Sequence, residues 1–328
     1  MNKNISYVNR YKLPQYNSIE ELFKNISQNI KKSYKTTWIE LPCFGASPIS
    51  LIKNLLYVKQ KKETIYHITG DVHYMALRLG KRCILTIHDY QSALCKSRIK
   101  QKIIIWLWFK WPAKRVKYIT VISHFSKNEL TAVIPKQAYK IKVIYNPVST
   151  QIQPDLNHKF NTKKPNILLI GTKVNKNFEG SINALKDLNV NLIIIGKLDL
   201  KQTKHLKKSG LNYELNQYLN FKEVIECYKK ADLLCFPSFY EGFGMPIIEA
   251  QAVGRPVVTS NIGAMKEIAQ ESACLVDPYS TASIREGVLK IIKDKTYREE
   301  LIIKGQNNIQ RFQLDSIAKQ YKDLYEKI

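Results

Sequence analysis

Short runs of apolar, mostly β-branched residues recur along this chain, and helical periodicity fills the intervals between them. That alternation leaves few options, because strands separated by helix-length crossovers pair in parallel and need helices on both faces. The runs fall at 5–8, 37–41, 64–68, 83–87, 118–122 and 142–144, with a helix expected over 18–31. A second set follows at 166–170, 191–195, 233–236, 256–259 and 273–275. Between the sets, Pro154, Asn157, Lys163 and Lys164 interrupt all periodicity, which marks a linker at 151–164. The expected fold class is α/β, with two Rossmann-like doubly wound domains at 1–150 and 165–310, and 328 residues suffice for two cores. Ligands of such sheets bind beyond the carboxyl ends of the strands.

The most informative segment for chemistry is 236–260, FPSFYEGFGMPIIEAQAVGRPVVTS. Gly242 and Gly244 let the backbone turn sharply and approach a ligand, and Pro246 suits the first turn of a helix. Gly254 suits that helix's C-terminus, after which Pro256 to Thr259 resumes as a strand. Free amides at a helix start attract phosphate. Glu241 and Glu249 have no use for an anion, but an ionised carboxylate accepts hydrogen bonds from two neighbouring hydroxyls, as a ribose diol or a hexose presents them. Amides for phosphate and acids for sugar hydroxyls together describe a nucleotide-sugar site. Two glutamates at a helix start would also complement its macrodipole.

The Glu, seven residues, Glu spacing with its glycine loop resembles the signature of retaining glycosyltransferases of the GT-B fold, family 4 in particular. The resemblance implies two Rossmann-like domains facing a central cleft, and it implies roles. Glu241 would face the transferred sugar, the amides of Gly242, Phe243, Gly244 and Met245 would meet sugar and phosphate, and Glu249 would hold the ribose. In ILLIGTKVNKNFEGS, Gly171, Thr172, Lys173 and Lys176 resemble the family's pyrophosphate loop, with Lys176 in the lysine position and Thr172 where an arginine is usual. A solvated basic loop is the plainer reading of these lysines. LTIHDY resembles the family's strand ending in His-Asp, which would make His88 a catalytic neighbour of donor sugar and phosphate, beside Glu241 and Lys176. YITVISHFS resembles its Val-Ser strand end, where Ser123 would cap a helix or touch the acceptor. The last residues, 311–328, resemble the closing helix that crosses back to the N-terminal domain.

The likeness departs from the family in the first sixty residues, where a Gly-Gly acceptor loop is replaced by VNRYKLPQYNS. Asp71 and His73, in HITGDVHY, are weaker acceptor-side candidates, and an ordinary polar turn explains them as well. No Asp-x-Asp pair occurs, so neither a metal nor another cofactor is expected. The family's route would be front-face attack, with donor phosphate accepting the acceptor's proton.

Composition adds limits. The six cysteines show no paired metal-site spacing, and the longest apolar stretch, 103–109, is far short of a membrane span, which suggests a cytoplasmic protein. With 52 Lys and Arg against 27 Asp and Glu, the net charge of +25 calls for an anionic partner. The segment 96–117 interleaves basic residues with Trp106, Trp108 and Trp111. It suits either a helix lying on the inner membrane face, where a lipid-linked acceptor would be met, or a packed helix with a wet charged side. Two rival functions stay open at this stage: a sugar-nucleotide epimerase of the same fold, and a nucleic-acid-binding protein, which only the charge suggests.

Overall fold

The computed structural model describes residues 4–11, 18–31, 33–90, 97–155 and 157–328. Two compact units emerge, one formed by Met1–Pro147 with Leu314–Ile328, the other by Val148–Gln313. The first contains strands β1 (Asn4–Asn9), β2 (Lys35–Glu40), β3 (Thr64–Ile68), β4 (Cys83–Ile87), β5 (Tyr118–Val121) and β6 (Ile141–Val143), in the order β2-β1-β3-β4-β5-β6. The second contains β7 (Asn166–Ile170), β8 (Asn191–Ile195), β9 (Asn212–Asn216), β10 (Leu233–Phe236), β11 (Val257–Ser260) and β12 (Cys274–Val276), in the order β12-β11-β10-β7-β8-β9. Every pairing is parallel.

The expected strands are all present, several with bounds shifted by a residue or two. One was missed. β9, NYELN, lies at a sheet edge with largely exposed side chains, so it carries no apolar run for a sequence reading to find. In the first unit, alternate residues of each strand feed opposite cores. Val8, Ile68, Leu85 and Val121 point to one, while Ile5, Tyr7, Ile65 and Ile84 join Phe23, Ile26, Ile317 and Tyr321 in the other. The second core is thus closed by the helices Ser18–Ile30 and Leu314–Glu326. His67 sits inside it, bonded to the Tyr325 hydroxyl and Thr86 Oγ1 at 2.7 Å each. Burial holds its pKa down at about 3, so the imidazole is neutral.

The stretch 151–164, expected as a linker, is tied to the second unit. The buried Asp232 carboxylate accepts the Asn161 and Asn166 amides at 2.8 and 2.7 Å and meets His158 Nε2 at 2.9 Å. Arg255, also buried, donates to Asp155 Oδ2 at 2.5 Å and to the Ala231 and Lys229 carbonyls at 2.7 and 2.8 Å. Removing Asp232 leaves the part-buried Asn161 and Asn166 amides and His158 without their common acceptor. Asp232→Ala should therefore destabilise the second unit by about 3 kcal/mol, seen as a lower urea midpoint with unchanged slope. An unmoved midpoint would mean that solvent satisfies these amides.

Candidate active site

In the second sheet, β7 is where the strand order reverses, with β8 and β9 built to one side and β10 to β12 to the other. The crossovers leaving β7 and β10 therefore run to opposite sides, and their first loops lie side by side at the strands' carboxyl ends, where ligands of such sheets bind. Sequence folds each loop locally. After β7, Gly171 takes φ +85°, a left-handed turn, and Lys176 lies across it, so that a methyl group on Gly171 would come within 2.9 Å of that side chain. Asn177 is also left-handed, at φ 54°, and ends the turn Val174–Lys176 before the helix Phe178–Leu185. After β10, Gly244 at φ +104° starts the helix Met245–Val253, with Pro246 in its first turn and Gly254 closing it.

Hydrogen bonds lock the two loops together. The Phe239 amide donates to the Asn175 carbonyl at 2.8 Å, and Asn175 Nδ2 donates to the Tyr240 carbonyl at 3.0 Å. Asn177 Nδ2 reaches the Pro237 and Pro278 carbonyls at 3.1 and 2.7 Å. As a result Lys176 and Glu241, distant in sequence, meet as an ion pair, Nζ to Oε1 at 2.8 Å. Lys176 Nζ also stands 4.8 Å from the Phe236 ring centroid. Glu241 Oε1 is buried and, that ion pair apart, has no hydrogen-bond partner among the described residues. Glu249 accepts the Tyr228 hydroxyl on Oε2 at 2.7 Å. Burial pushes the Glu249 carboxyl up from the ordinary range, while the Tyr228 bond and the Lys176 charge draw it back. One ammonium, two carboxylates and a glycine-rich helix start thus share a small polar site.

The other donor-side candidates divide. Lys173 is exposed beside the turn. Thr172 is buried, and its hydroxyl donates to the Lys197 carbonyl at 2.5 Å, so it is engaged in tying β7's loop to β8's. Phe243 is buried with its ring edge-on to Phe312, centroids 5.7 Å apart. Gly242 precedes it on the loop, and Met245 is the first residue of the helix that follows Gly244.

The first-unit candidates follow neighbouring strands of that sheet, Asp71 and His73 after β3, His88 after β4 and Ser123 after β5. His88 is partly buried and donates from Nε2 to the Thr69 carbonyl at 2.9 Å; burial lowers its pKa to about 4. Asp71 stands at the surface, but surrounding protein and nearby Asp89 push its carboxyl up to about 6 while Arg10 pulls it down. His73 is buried, donating to the Trp108 carbonyl at 3.0 Å with its ring on Phe109, so it anchors a neighbouring helix. Ser123 is buried and caps the helix His124–Val133, accepting the Ser126 amide at 3.0 Å. Of the divergent stretch 8–18, residues 12–17 lie outside the described residues, as do Cys95 and Lys96.

Related proteins agree with this architecture. The sequence profile described as Glycosyltransferase Family 4 matches residues 42–152, and that described as Glycosyl transferases group 1 matches residues 155–308. The chain belongs to the family 4 glycosyltransferases. Among its relatives, the O-antigen chain mannosyltransferase B of Escherichia coli is 26% identical over 82% of this chain and 76% of its own length. The O-antigen chain mannosyltransferase RfbU of Salmonella typhimurium is 28% identical over 72% of this chain and 67% of its own. In fold, the glycosyltransferase superposes on the Anabaena protein HepE, solved in complex with UDP and glucose, with a TM-score of 0.77 at 15% identity, covering 99% and 100% of the two chains. The fold is GT-B.

Three groups that shape the site of this glycosyltransferase escaped the sequence reading. Tyr228 holds Glu249, while Asn175 and Asn177 join the two loops. Only Asn177 left a signal, since asparagine is favoured where a non-glycine residue must turn left-handed. No helix among the described residues is long and apolar enough to cross a membrane, and no group of three or more His, Cys, Asp or Glu among them could hold a metal ion.

Proposed function

We propose that this glycosyltransferase is a retaining, metal-independent enzyme that moves a hexosyl group from a nucleoside diphosphate sugar to a glycan or lipid-linked acceptor in bacterial surface polysaccharide synthesis. The observation that carries the reading is the Lys176–Glu241 pair beside Glu249 at the sheet's reversal point. On donor binding the diphosphate takes Lys176 and the loop amides of Gly242 to Met245, which releases Glu241 to accept hydroxyls of the sugar. Glu249, oriented by Tyr228, accepts the ribose diol. The bond from the anomeric carbon to the diphosphate oxygen breaks as the acceptor oxygen bonds to that carbon on the same face. The acceptor's proton passes to the departing phosphate oxygen. Charge on the leaving group is met by an ammonium and amides already in place, a preorganised electrostatic term. The mannosyltransferase relatives make a mannosyl group the first hexose to test. The enzyme would work in the cytoplasm, peripherally at the inner membrane face, through the basic tryptophan segment 96–117.

A thermal-shift panel of UDP, GDP and ADP sugars tests the donor reading, because a ligand at a hundred times its Kd stabilises by about 2.7 kcal/mol. One base class should stand out; no shift with any would defeat the site. Product analysis with donor alone should show an unaltered donor, whereas an epimerase would change it. Transfer should persist in excess EDTA. Loss restored by magnesium or manganese would refute leaving-group stabilisation by Lys176 and amides.

A further inference from the structure

The helix Pro48–Tyr57 and the helical run from Arg98 to Arg115 lie on the same face of the first unit's sheet. Their inward residues, among them Leu51, Leu55, Ile104 and Ile105, pack against one core. Tyr74 joins the two, accepting a hydrogen bond from Asn54 Nδ2 at 2.8 Å and meeting the Trp108 ring edge-on with centroids 5.4 Å apart.

Their outward sides are reversed from the usual pattern. Ile49, Ile52 and Leu56 form a stripe at helical spacing on the first, and Ile99, Ile103 and Trp106 form one on the second, all between 50% and 74% exposed. Water-facing stripes ordinarily carry charge, and contiguous exposed apolar surface marks an interaction site. Trp106, half exposed, lies against Trp111 with the rings tilted and their centroids 4.5 Å apart.

Charge selects the partner. Neither 41–62 nor 97–117 contains a single Asp or Glu, and exposed Lys53, Lys100, Lys102 and Lys110 flank the stripes. Two copies of this chain meeting through that face would bring like charges together. An anionic leaflet instead accepts the lysines at its headgroups and the apolar side chains just beneath them.

We propose that these two helices form one membrane-docking face for an anionic bilayer surface. The proposal extends the peripheral-membrane part of the reading above and is separate from its donor chemistry. The segment 97–117 carried a sequence signal; the helix Pro48–Tyr57 did not, since its apolar stripe reads as core until its orientation is known.

Co-sedimentation of the full chain with vesicles of phosphatidylcholine alone, or mixed with phosphatidylglycerol, tests it. The wild type should bind the mixed vesicles selectively, and salt should weaken the binding. Ile52→Ser with Leu56→Ser should weaken it by about tenfold or more, with nucleoside diphosphate affinity and thermal midpoint unchanged. Lys100, Lys102, Lys110 and Lys114 changed together to glutamine should do likewise. If only the lysine variant is released, the two-helix face is refuted while the 96–117 reading survives. A wild type indifferent to anionic vesicles refutes both, and a soluble dimer lost in Ile52→Ser with Leu56→Ser would assign the face to a second copy instead.

Discussion

Glu249→Ala should weaken nucleoside diphosphate binding by about ten- to a hundredfold, because a hydrogen bond to a charged acceptor contributes about 1.5–3 kcal/mol. The carboxylate is already oriented: Tyr228 donates to Oε2 at 2.7 Å, which leaves Oε1 to serve the proposed ribose contact. Tyr228→Phe should show a smaller loss in the same direction. Burial raises the Glu249 carboxyl, and only the ionised form accepts from both ribose hydroxyls, so wild-type affinity should rise as pH increases through its titration. The alanine variant should lack that dependence. Calorimetry with the free nucleoside diphosphate decides the matter, and unchanged affinity in Glu249→Ala would remove its assigned role.

Lys176→Met should lower kcat by about a hundred- to a thousandfold, the usual effect of removing one preorganised group that faces developing charge. Its partner behaves differently. Glu241 sits 2.8 Å from Lys176, so Glu241→Ala should depress turnover with the complete donor while leaving free nucleoside diphosphate affinity intact or tighter, the lysine being released to phosphate. Because the two groups act as a unit, the double variant should be little worse than Lys176→Met alone. Steady-state kinetics beside nucleotide titrations separate these cases. If Glu241→Ala impaired nucleotide binding as severely as Glu249→Ala, the two acids would have exchanged roles.

The two alternating strand sets and the glycine positions in the loop after β10 were legible from the chain alone, because they depend on local properties. A strand buried on both faces must be an apolar run, and a left-handed turn selects glycine or asparagine wherever it occurs. Gly244 and Gly254 were legible for that reason, Gly171 only through the likeness of its loop, and β9 was not, because an edge strand needs no such run. Tertiary structure alone decided which side chains meet. The Lys176–Glu241 pair exists because β7 and β10 are neighbours in the sheet, and strand order leaves no periodic trace in either loop. The same holds for Tyr228 on Glu249, for Thr172 turned toward Lys197, and for His73 and Ser123, whose polar atoms are taken by a backbone carbonyl and a helix end. The outward stripe of Pro48–Tyr57 is the sharpest case. Amphipathic spacing tells that a helix has an apolar side, but whether that side meets the core or the solvent depends on how the helix is docked.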